Sequence, residues 1–450
     1  MRIIAFFALL LVSISHAGEF KAGAAAVVIT PPNGTPMAGF YSFRGSAGVI
    51  DDIYAKAIVV EQDGAKAALV ALDLSGTTRP VVAAARKLIA EQCGIAPDRV
   101  MISATHTHSG PVQVRDNLLD DITGSKRPLA LEFNNKLPSL IARAVSDANA
   151  KLAPARASAA MGREEHLSFN RRSVMKDGTV AWMPRLNPNI VRPAGPIDPD
   201  VGVLHFTGVA TYVNFAMHAT AVGGAKICAD YPGALYQRLA EYLGTNTVTL
   251  FANGCCGNIN QIDPKWEGQQ HGPPEAARIG TVLAAAVFKA WPNLQPLQPF
   301  APRARATQVT LPRRKITDEE VAKARELADS FGKKKLATPA MANAVCVLDT
   351  LQHKDTPLEA EVQVIAFSDD LAIVALPGEI FVELGLAIKK ASPFKHTFIA
   401  ELANGSIGYI PNRSAYPEGQ YEIVSARCAV GSGEMLVDEA VKLLKELRNP

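Results

Sequence analysis

The chain has 450 residues, of which 48% are hydrophobic, and a formal net charge of +3 at pH 7. It is long enough to bury a large core, and its lysines and arginines form no basic block, so nucleic acid is not expected as a partner. Six cysteines in so long a chain are not the dense framework of a small disulfide-rich protein.

The first 17 residues have the pattern of a secretory signal peptide. Arg2 is followed by a short apolar run and by the small-residue end Ser15-His16-Ala17, which predicts cleavage after Ala17. No later segment approaches the roughly 18 to 20 uninterrupted apolar residues of a membrane span. We therefore expect an exported protein, periplasmic or extracellular, that has no transmembrane segment and is compatible with peripheral membrane contact. Its oligomeric state is left open.

Strand and helix patterns alternate along the mature chain. Strands are predicted at 24–30, 55–62, 66–74, 99–105, 202–206, 210–217, 246–251, 361–367, 371–376 and 396–402. Helices are predicted at 79–93, 129–150, 235–243, 274–290, 318–330, 380–391 and 435–448. This order predicts an α/β fold with a mixed β-sheet core flanked by helices. Residues 18–450 are expected to form one domain, with the charged segment 302–356 as an exposed excursion. No internal repeat is evident.

The most informative stretch is residues 99–111, RVMISATHTHSGP. An apolar strand pattern ends there in two histidines and a Gly-Pro breaker. His106 and His108 are two positions apart, so in an extended segment both side chains lie on one face. This spacing suits metal ligands, although strand-end histidines bonded to the backbone would give the same pattern.

Other polar groups also follow predicted strands, and in α/β sheets such strand ends form the ligand crevice. They are His218, the loop 253–260, Glu379 and the loop 404–422. Two or three histidines and a carboxylate suit Zn²⁺. Each also has a structural alternative, because His218 could be a core histidine and Glu379 could be an acid favoured by a helix N-terminus.

The remaining candidates favour structural roles. In the loop 253–260, Cys255 and Cys256 could supply a nucleophile or a ligand, but buried small side chains or a disulfide are the more common case. Asp230 fits a turn or a helix N-cap. Asp73 fits backbone capping or a place near the metal, and a second cation could be held by Asp51, Asp73 or Asp263.

Five segments resemble the neutral/alkaline (non-lysosomal) ceramidase family. They are 105–111 (THTHSGP), 170–171 (NR), 216–218 (AMH), 377–379 (PGE) and 408–422 (GYIPNRSAYPEGQYE). They occur in the family's order and approximate spacing, over nearly all of the mature chain. The resemblance implies a ceramidase-like catalytic domain and zinc-dependent hydrolysis of the amide of N-acyl sphingosines.

The resemblance also implies roles for individual residues. One zinc ion would be held by His106, His218, Glu379 and Tyr416, the last because its place in AYPEGQYE matches the family's ligand tyrosine. His108 would lie beside the metal as an acid/base or substrate-orienting group. The polar part of the substrate would be bound by Arg171, with further contacts from Asn170, Asn258 and Tyr409.

The chain departs from the family pattern in two places. Where the ceramidases carry Gly-Asp-Val-Ser-Pro-Asn, residues 257–262 are GNINQI, so Asn260 takes the place of the proposed nucleophilic serine. We therefore expect zinc-activated water to attack, with Asn260 or a neighbouring amide polarising the carbonyl. The chain also ends about 28 residues after Glu422, so no immunoglobulin-like C-terminal domain is expected.

The sequence thus predicts an exported zinc-dependent amidohydrolase that acts on a small-molecule or lipid-like N-acyl substrate. Two alternatives remain. One is a metal-dependent esterase or other hydrolase of a different small substrate. The other is a non-catalytic binding homologue that has lost the nucleophilic serine.

Overall fold

The structure is a computed structural model that describes residues 19–331, 333 and 336–449. The expected signal peptide, with its cleavage after Ala17, lies outside these residues. Among the described helices, none is both long and apolar enough to cross a membrane.

The first third of the chain forms a five-stranded sheet in the order β4-β3-β2-β1-β5, in which only β3 and β4 run parallel. Two helices, α1 and α3, pack on its outer face. The elements are β1 (Lys21–Val28), β2 (Tyr54–Gln62), β3 (Ala65–Leu72), α1 (Arg79–Cys93), β4 (Val100–Ala104), α2 (Leu118–Thr123), α3 (Pro128–Ala150) and β5 (Ala153–Pro154).

The middle third forms a second five-stranded sheet, in the order β13-β12-β11-β6-β15, in which β12 and β13 run parallel. Helices α4 and α5 cover it. The elements are β6 (Ala157–Arg163), β7 (Phe169–Asn170), β8 (Arg172–Met175), β9 (Val180–Trp182), β10 (Ile190–Pro193), β11 (Asp200–Phe206), β12 (Ala210–Phe215), α4 (Tyr231–Leu243), β13 (Val248–Asn253), β14 (Ile259–Asn260), α5 (Pro273–Ala290) and β15 (Gln295–Pro296).

The last third forms a four-stranded sheet, β16-β17-β18-β20, in which β18 and β20 run parallel. Helices α8 and α10 cover it. The elements are β16 (Pro299–Leu311), α6 (Asp318–Asp329), α7 (Thr338–Gln352), β17 (Leu358–Ser368), β18 (Leu371–Ala375), β19 (Glu379–Ile380), α8 (Val382–Ala391), β20 (His396–Ala400), β21 (Tyr409–Ile410), α9 (Tyr421–Val424) and α10 (Ser432–Arg448).

The same unit recurs in all three sheets: an antiparallel strand pair, a helix, and a strand parallel to the second of the pair. The three units are β2-β3-α1-β4, β11-β12-α4-β13 and β17-β18-α8-β20. Their inner faces share one core, in which Leu69, Tyr212 and Phe398 come from different sheets. The predicted mixed sheet core flanked by helices is confirmed, and the repetition lies in topology rather than in sequence.

The strand ends of the three units meet at Asn253, which is fully buried at the end of β13. Its carbonyl accepts the N–H of Glu401, and its Oδ1 accepts the N–H of Met217 at 3.1 Å. Its Nδ2 donates to the carbonyl of Thr105 at 3.5 Å. The loops that follow these strands are therefore brought to one place.

The segment 302–356 is more integrated than the expected excursion. It contains most of β16, which pairs along its length with β17. A capping box at Thr317 opens α6, as its pattern predicts, because Thr317 Oγ1 accepts the N–H of Glu320. α7 buries one apolar face, including Val345 and Cys346, while α6 carries the exposed charges that dominate the composition.

Candidate metal centre

His106 is held in a strained loop with one ring nitrogen already bonded. β4 ends at Ala104, so His106 is not in the extended segment that the sequence argument assumed, and its φ is +71°. Its N–H donates to the carbonyl of Leu74, and its Nδ1 lies 2.7 Å from the carbonyl of Ser75. Because a carbonyl only accepts, Nδ1 carries the proton and the Nε2 lone pair is free.

His218 is fixed in the same way from the second sheet. It follows β12, and its Nδ1 lies 2.8 Å from the carbonyl of Cys256 and 3.0 Å from that of Ile259. The side chain is 1% exposed. Nδ1 must again be the protonated nitrogen, so Nε2 is left as an acceptor. Burial lowers the pKa of His218 to about 3, which keeps the ring neutral at pH 7.

Glu379 brings a carboxylate from the short strand β19, which follows β18 of the third sheet. β19 pairs in parallel with β21, and the Glu379 N–H donates to the carbonyl of Gly408. Its Oε2 lies 3.4 Å from His106 Nε2 and 3.1 Å from His218 Nε2.

His108 completes the cluster. Its Nε2 lies 3.4 Å from His106 Nε2, and ligand atoms of His106, His108 and His218 all lie within 4.8 Å of one another. Burial, with the two neighbouring histidines, lowers the His108 pKa well below 6.5. Gly39 lies against this ring at φ +98°, and a Cβ there would come within 2.5 Å of His108 Cβ, so only glycine fits.

The arrangement leaves acceptors facing one another. With both Nδ1 atoms protonated, the Nε2 lone pairs of His106 and His218 face the Glu379 Oε2 atom. All three atoms are then hydrogen-bond acceptors. A positive charge between these acceptors, either a proton on one histidine or a metal ion, would stabilise the group. Imidazole nitrogens with one carboxylate are a ligand set typical of Zn²⁺. The residues therefore fit a metal ion.

Comparison with known structures gives the fold its context. The chain is similar to the solved structure of neutral ceramidase from Pseudomonas aeruginosa, with a TM-score of 0.75 and 21% identity over 96% of this chain and 75% of that one. A solved ceramidase complexed with C2 gives a TM-score of 0.73 and 20% identity over the same shares. The chain has the neutral ceramidase fold. No protein-family model matches the sequence, and no curated protein gives a significant match.

Within this neutral ceramidase fold, Tyr416 is not placed with the other expected ligands. It lies in the 3₁₀ segment Arg413–Glu418, and its hydroxyl lies 3.1 Å from the carbonyl of Cys428 and 3.2 Å from that of Ala429. Tyr409 is the tyrosine at the centre instead, because β21 sets it directly opposite Glu379. Burial, followed by Glu379, raises the Tyr409 pKa well above 10.

Arg171 lies behind the centre with its donors engaged. Its Nε donates to Glu422 at 2.7 Å, and its Nη2 donates to the carbonyl of Gly257 at 2.7 Å and to Tyr409 Oη at 3.1 Å. Its Nη1 lies 3.4 Å from His218 Nε2. The guanidinium, which was expected to bind substrate, therefore orients two side chains of the centre.

Three asparagines that were expected to contact substrate hold backbone instead. The Oδ1 atoms of Asn170, Asn258 and Asn260 accept the N–H groups of Arg172, Val382 and Ile262, at 3.1, 2.9 and 3.0 Å. β14 also pairs with β7, which places Asn260 opposite Phe169. None of the three asparagines lines the cleft described next.

A cleft open to solvent begins at His106, His108 and Glu379. Part of its wall is apolar and includes Val345 of α7, so the segment 302–356 contributes to the site. Other wall residues were not selected from the sequence: Tyr41, Gln113, Arg115, Tyr421 and Arg427. A polar side chain in a loop gives no sequence signal of this kind, because nothing local shows which residues line a common space.

Two other expectations have a definite structural outcome. Asp230 caps α4, since its carboxylate accepts the N–H of Tyr231 at 2.7 Å. Asp73 accepts the N–H of Tyr54 and the hydroxyl of Tyr236, so it caps backbone away from the histidines. The cysteines of the described chain are all buried free thiols.

Proposed function

We propose that this chain is an exported zinc-dependent hydrolase that cleaves an amide of an N-acyl substrate. The observation that carries the proposal is the set of inward-facing acceptors on His106, His218 and Glu379, each delivered by a different sheet. The ligands proposed are these three with Tyr409, which replaces the sequence-based candidate Tyr416. The substrate class is suggested by the fold, because both solved neighbours are named as ceramidases.

A zinc ion at this centre would supply Lewis acidity to the substrate carbonyl and would make water more acidic. His108 is the proposed acid/base group. Its neutral ring takes the proton of the attacking water and gives it to the departing amine. One water is consumed, and the products are a carboxylic acid and an amine, which at pH 7 become a carboxylate and an ammonium ion when the acid's proton passes to the amine. Arg171 is a positioning residue, since it holds Tyr409 and approaches His218.

Asn260 supports water rather than a side chain as nucleophile. Its carboxamide oxygen is engaged with Ile262, and its Nδ2 lies 3.9 Å from Met183 Sδ. An amide is also a poor nucleophile toward an acyl group. At the position that carries serine in the family pattern, this chain therefore has an asparagine that stabilises the loop by accepting the Ile262 N–H.

Export is proposed from residues 1–17 alone. Expression of the full chain with sequencing of the mature N-terminus tests it, and a product that still begins at Met1 would contradict it.

Replacement of His106 by alanine tests the metal centre. The wild-type protein should retain about one zinc per chain and hydrolyse members of a panel of N-acyl amides, whereas His106→Ala should lose both. His166→Ala is the matched control, because His166 is exposed and does not line the cleft. Full turnover by a zinc-free preparation would contradict the proposal.

A second candidate is a binding protein that keeps the metal and has lost turnover. It is favoured by the asparagine at position 260. It predicts stoichiometric zinc and saturable ligand binding with no product from any amide or ester of the panel.

A further inference from the structure

The wall of the cleft contains buried polar groups that find no partner within the protein. Gln113 is 2% exposed, and neither its Nε2 nor its Oε1 has a hydrogen-bond partner among the described residues. A buried amide without partners is destabilising, so we expect a ligand or water to satisfy it. Gln113 is one of the residues that line the cleft beginning at the histidines.

Arg115, two residues further along, is a cation without a counter-ion. Within the described chain, no side chain or carbonyl accepts a hydrogen bond from its guanidinium, and the group lines the same cleft. Burial, followed by the nearby charge of Arg427, lowers the Arg115 pKa, while Glu379 and Asp120 act to raise it. A guanidinium in a protein stays protonated. A half-buried guanidinium beside a second one is a site prepared for an anion.

The acids near Arg115 are already committed. Asp120 accepts the backbone N–H groups of Arg115 and Asp116 and the hydroxyl of Ser125. These bonds fix the loop that carries the guanidinium but occupy both carboxylate oxygens. Glu379 faces the histidines.

Arg427, the second guanidinium of the wall, does have an acid. Its Nε donates to Asp349, which neutralises one of the two positive charges. The charge of Arg115 is left over, so an anionic ligand would meet it directly.

The excess of positive charge continues outward. Arg115 and Arg427 also line an adjoining groove, to which Arg79 and Arg313 contribute. The bonds of these last two go to neutral oxygens, at Gln308 Oε1 and the Thr356 carbonyl. Asp116 and Asp349 are the acids of that groove, so four guanidiniums face two carboxylates.

We propose that Arg115 and Gln113 form a subsite for an anionic group, so that the preferred substrate is an N-acyl compound that carries a carboxylate or a phosphate rather than a neutral amide. The guanidinium would pair with the anion, and the Gln113 amide would supply one further donor. The proposal rests on the proposed function, because it names the substrate class of the same cleft.

Three substrates that share the same acyl chain provide the test. They are N-acyl ethanolamine, N-acyl glycine and the phosphate ester of N-acyl ethanolamine. In the zinc-loaded wild type, kcat/KM should be higher for at least one anionic member than for the neutral amide. Arg115→Met should lower kcat/KM for that anionic member about 10- to 100-fold, the size expected for a lost charge-assisted pair. Arg115→Lys should restore part of the loss, and comparing the two anions distinguishes carboxylate from phosphate.

Arg143→Met is the matched control, because Arg143 is an exposed helix residue paired with Asp147. It should leave the preference ratio unchanged. Equal or better turnover of the neutral amide by the wild type would overturn the inference while the proposed function stands.

Absence of turnover for all three substrates would instead count against the proposed function. Calorimetric titration with N-acyl glycine and with the phosphate ester then decides the subsite on its own. Binding of either one that is weakened in Arg115→Met supports the inference, and no binding, or binding indifferent to that substitution, overturns it.

Discussion

Glu401 is fully buried just after β20 and ties together two segments that carry the metal centre. Its Oε2 accepts the N–H of Cys256 at 3.1 Å and that of Ile380 at 2.8 Å, and its Oε1 lies 2.8 Å from the Cys256 thiol. The Cys256 carbonyl fixes His218, and Ile380 follows Glu379 directly. Replacing Glu401 therefore perturbs the support of both ligands without touching the cleft.

The size of the effect depends on the replacement. Burial raises the Glu401 pKa well above 4.5, which favours the neutral carboxyl group that glutamine mimics. Because one oxygen accepts both N–H groups, the amide oxygen of Glu401→Gln can keep both bonds. Glu401→Ala leaves two buried donors unpaired, each worth about 1–3 kcal/mol, so it should lower the free energy of unfolding by about 2–6 kcal/mol. Glu401→Gln should change it by less than about 1 kcal/mol.

Urea unfolding of the metal-free proteins measures these differences, and zinc titration should show about 10- to 100-fold weaker binding in Glu401→Ala. The raised pKa also fixes a pH dependence. Relative to Glu401→Gln, the wild type should be most stable below pH 4.5 and should lose that advantage as the pH rises, because the unfolded carboxyl then releases a proton that the folded one retains. Equal destabilisation by glutamine and alanine would refute the reasoning, since it would mean that Glu401 is ionised.

Two further predictions concern pairs of residues. Tyr409→Phe should weaken zinc binding at least about 10-fold, because it removes a proposed ligand. Tyr416→Phe should lower the free energy of unfolding by only about 1 kcal/mol, because it removes the hydroxyl that donates to the Cys428 carbonyl. Zinc titration and unfolding of both variants check this, and the reverse outcome would restore Tyr416 as the ligand. Lys56→Met should cost about 3 kcal/mol in unfolding experiments, because Asp73 loses the buried charge that offsets its own. Adding Asp73→Asn should recover most of that loss, and an additive double variant would contradict the pairing.

The sequence predicted the fold class and the location of the site because both follow from patterns along the chain. Apolar strand runs separated by helices specify the sheets, and polar residues after those runs mark the strand ends. His106, His218 and Glu379 were selected in this way, and the structure brings them together. The reason given for the histidine pair was wrong, since His106 has a left-handed φ and lies beyond the strand.

The choice among tyrosines shows where local pattern stops being informative. The segment 408–422 contains Tyr409, Tyr416 and Tyr421, and nothing in its composition distinguishes them. Pairing of β21 with β19 distinguishes them, because it sets Tyr409 opposite Glu379 and leaves Tyr416 against the Cys428 carbonyl. That pairing joins segments 30 residues apart. Gln113 and Arg115 were missed for the same reason. They stand out because the fold gives the Gln113 amide no hydrogen-bond partner and the Arg115 guanidinium no counter-ion, and neither fact can be read from the local sequence.

The threefold repetition explains why ligands so far apart in sequence converge. Each unit ends in a strand parallel to its neighbour, and the loops around those strand ends carry His106, His218 and Glu379 in turn. Asn253 binds the strand ends to one another, so packing of the three sheets sets the distances between ligand atoms. A metal ion at the centre would cross-link all three units, and its binding free energy would add to the stability of the whole fold.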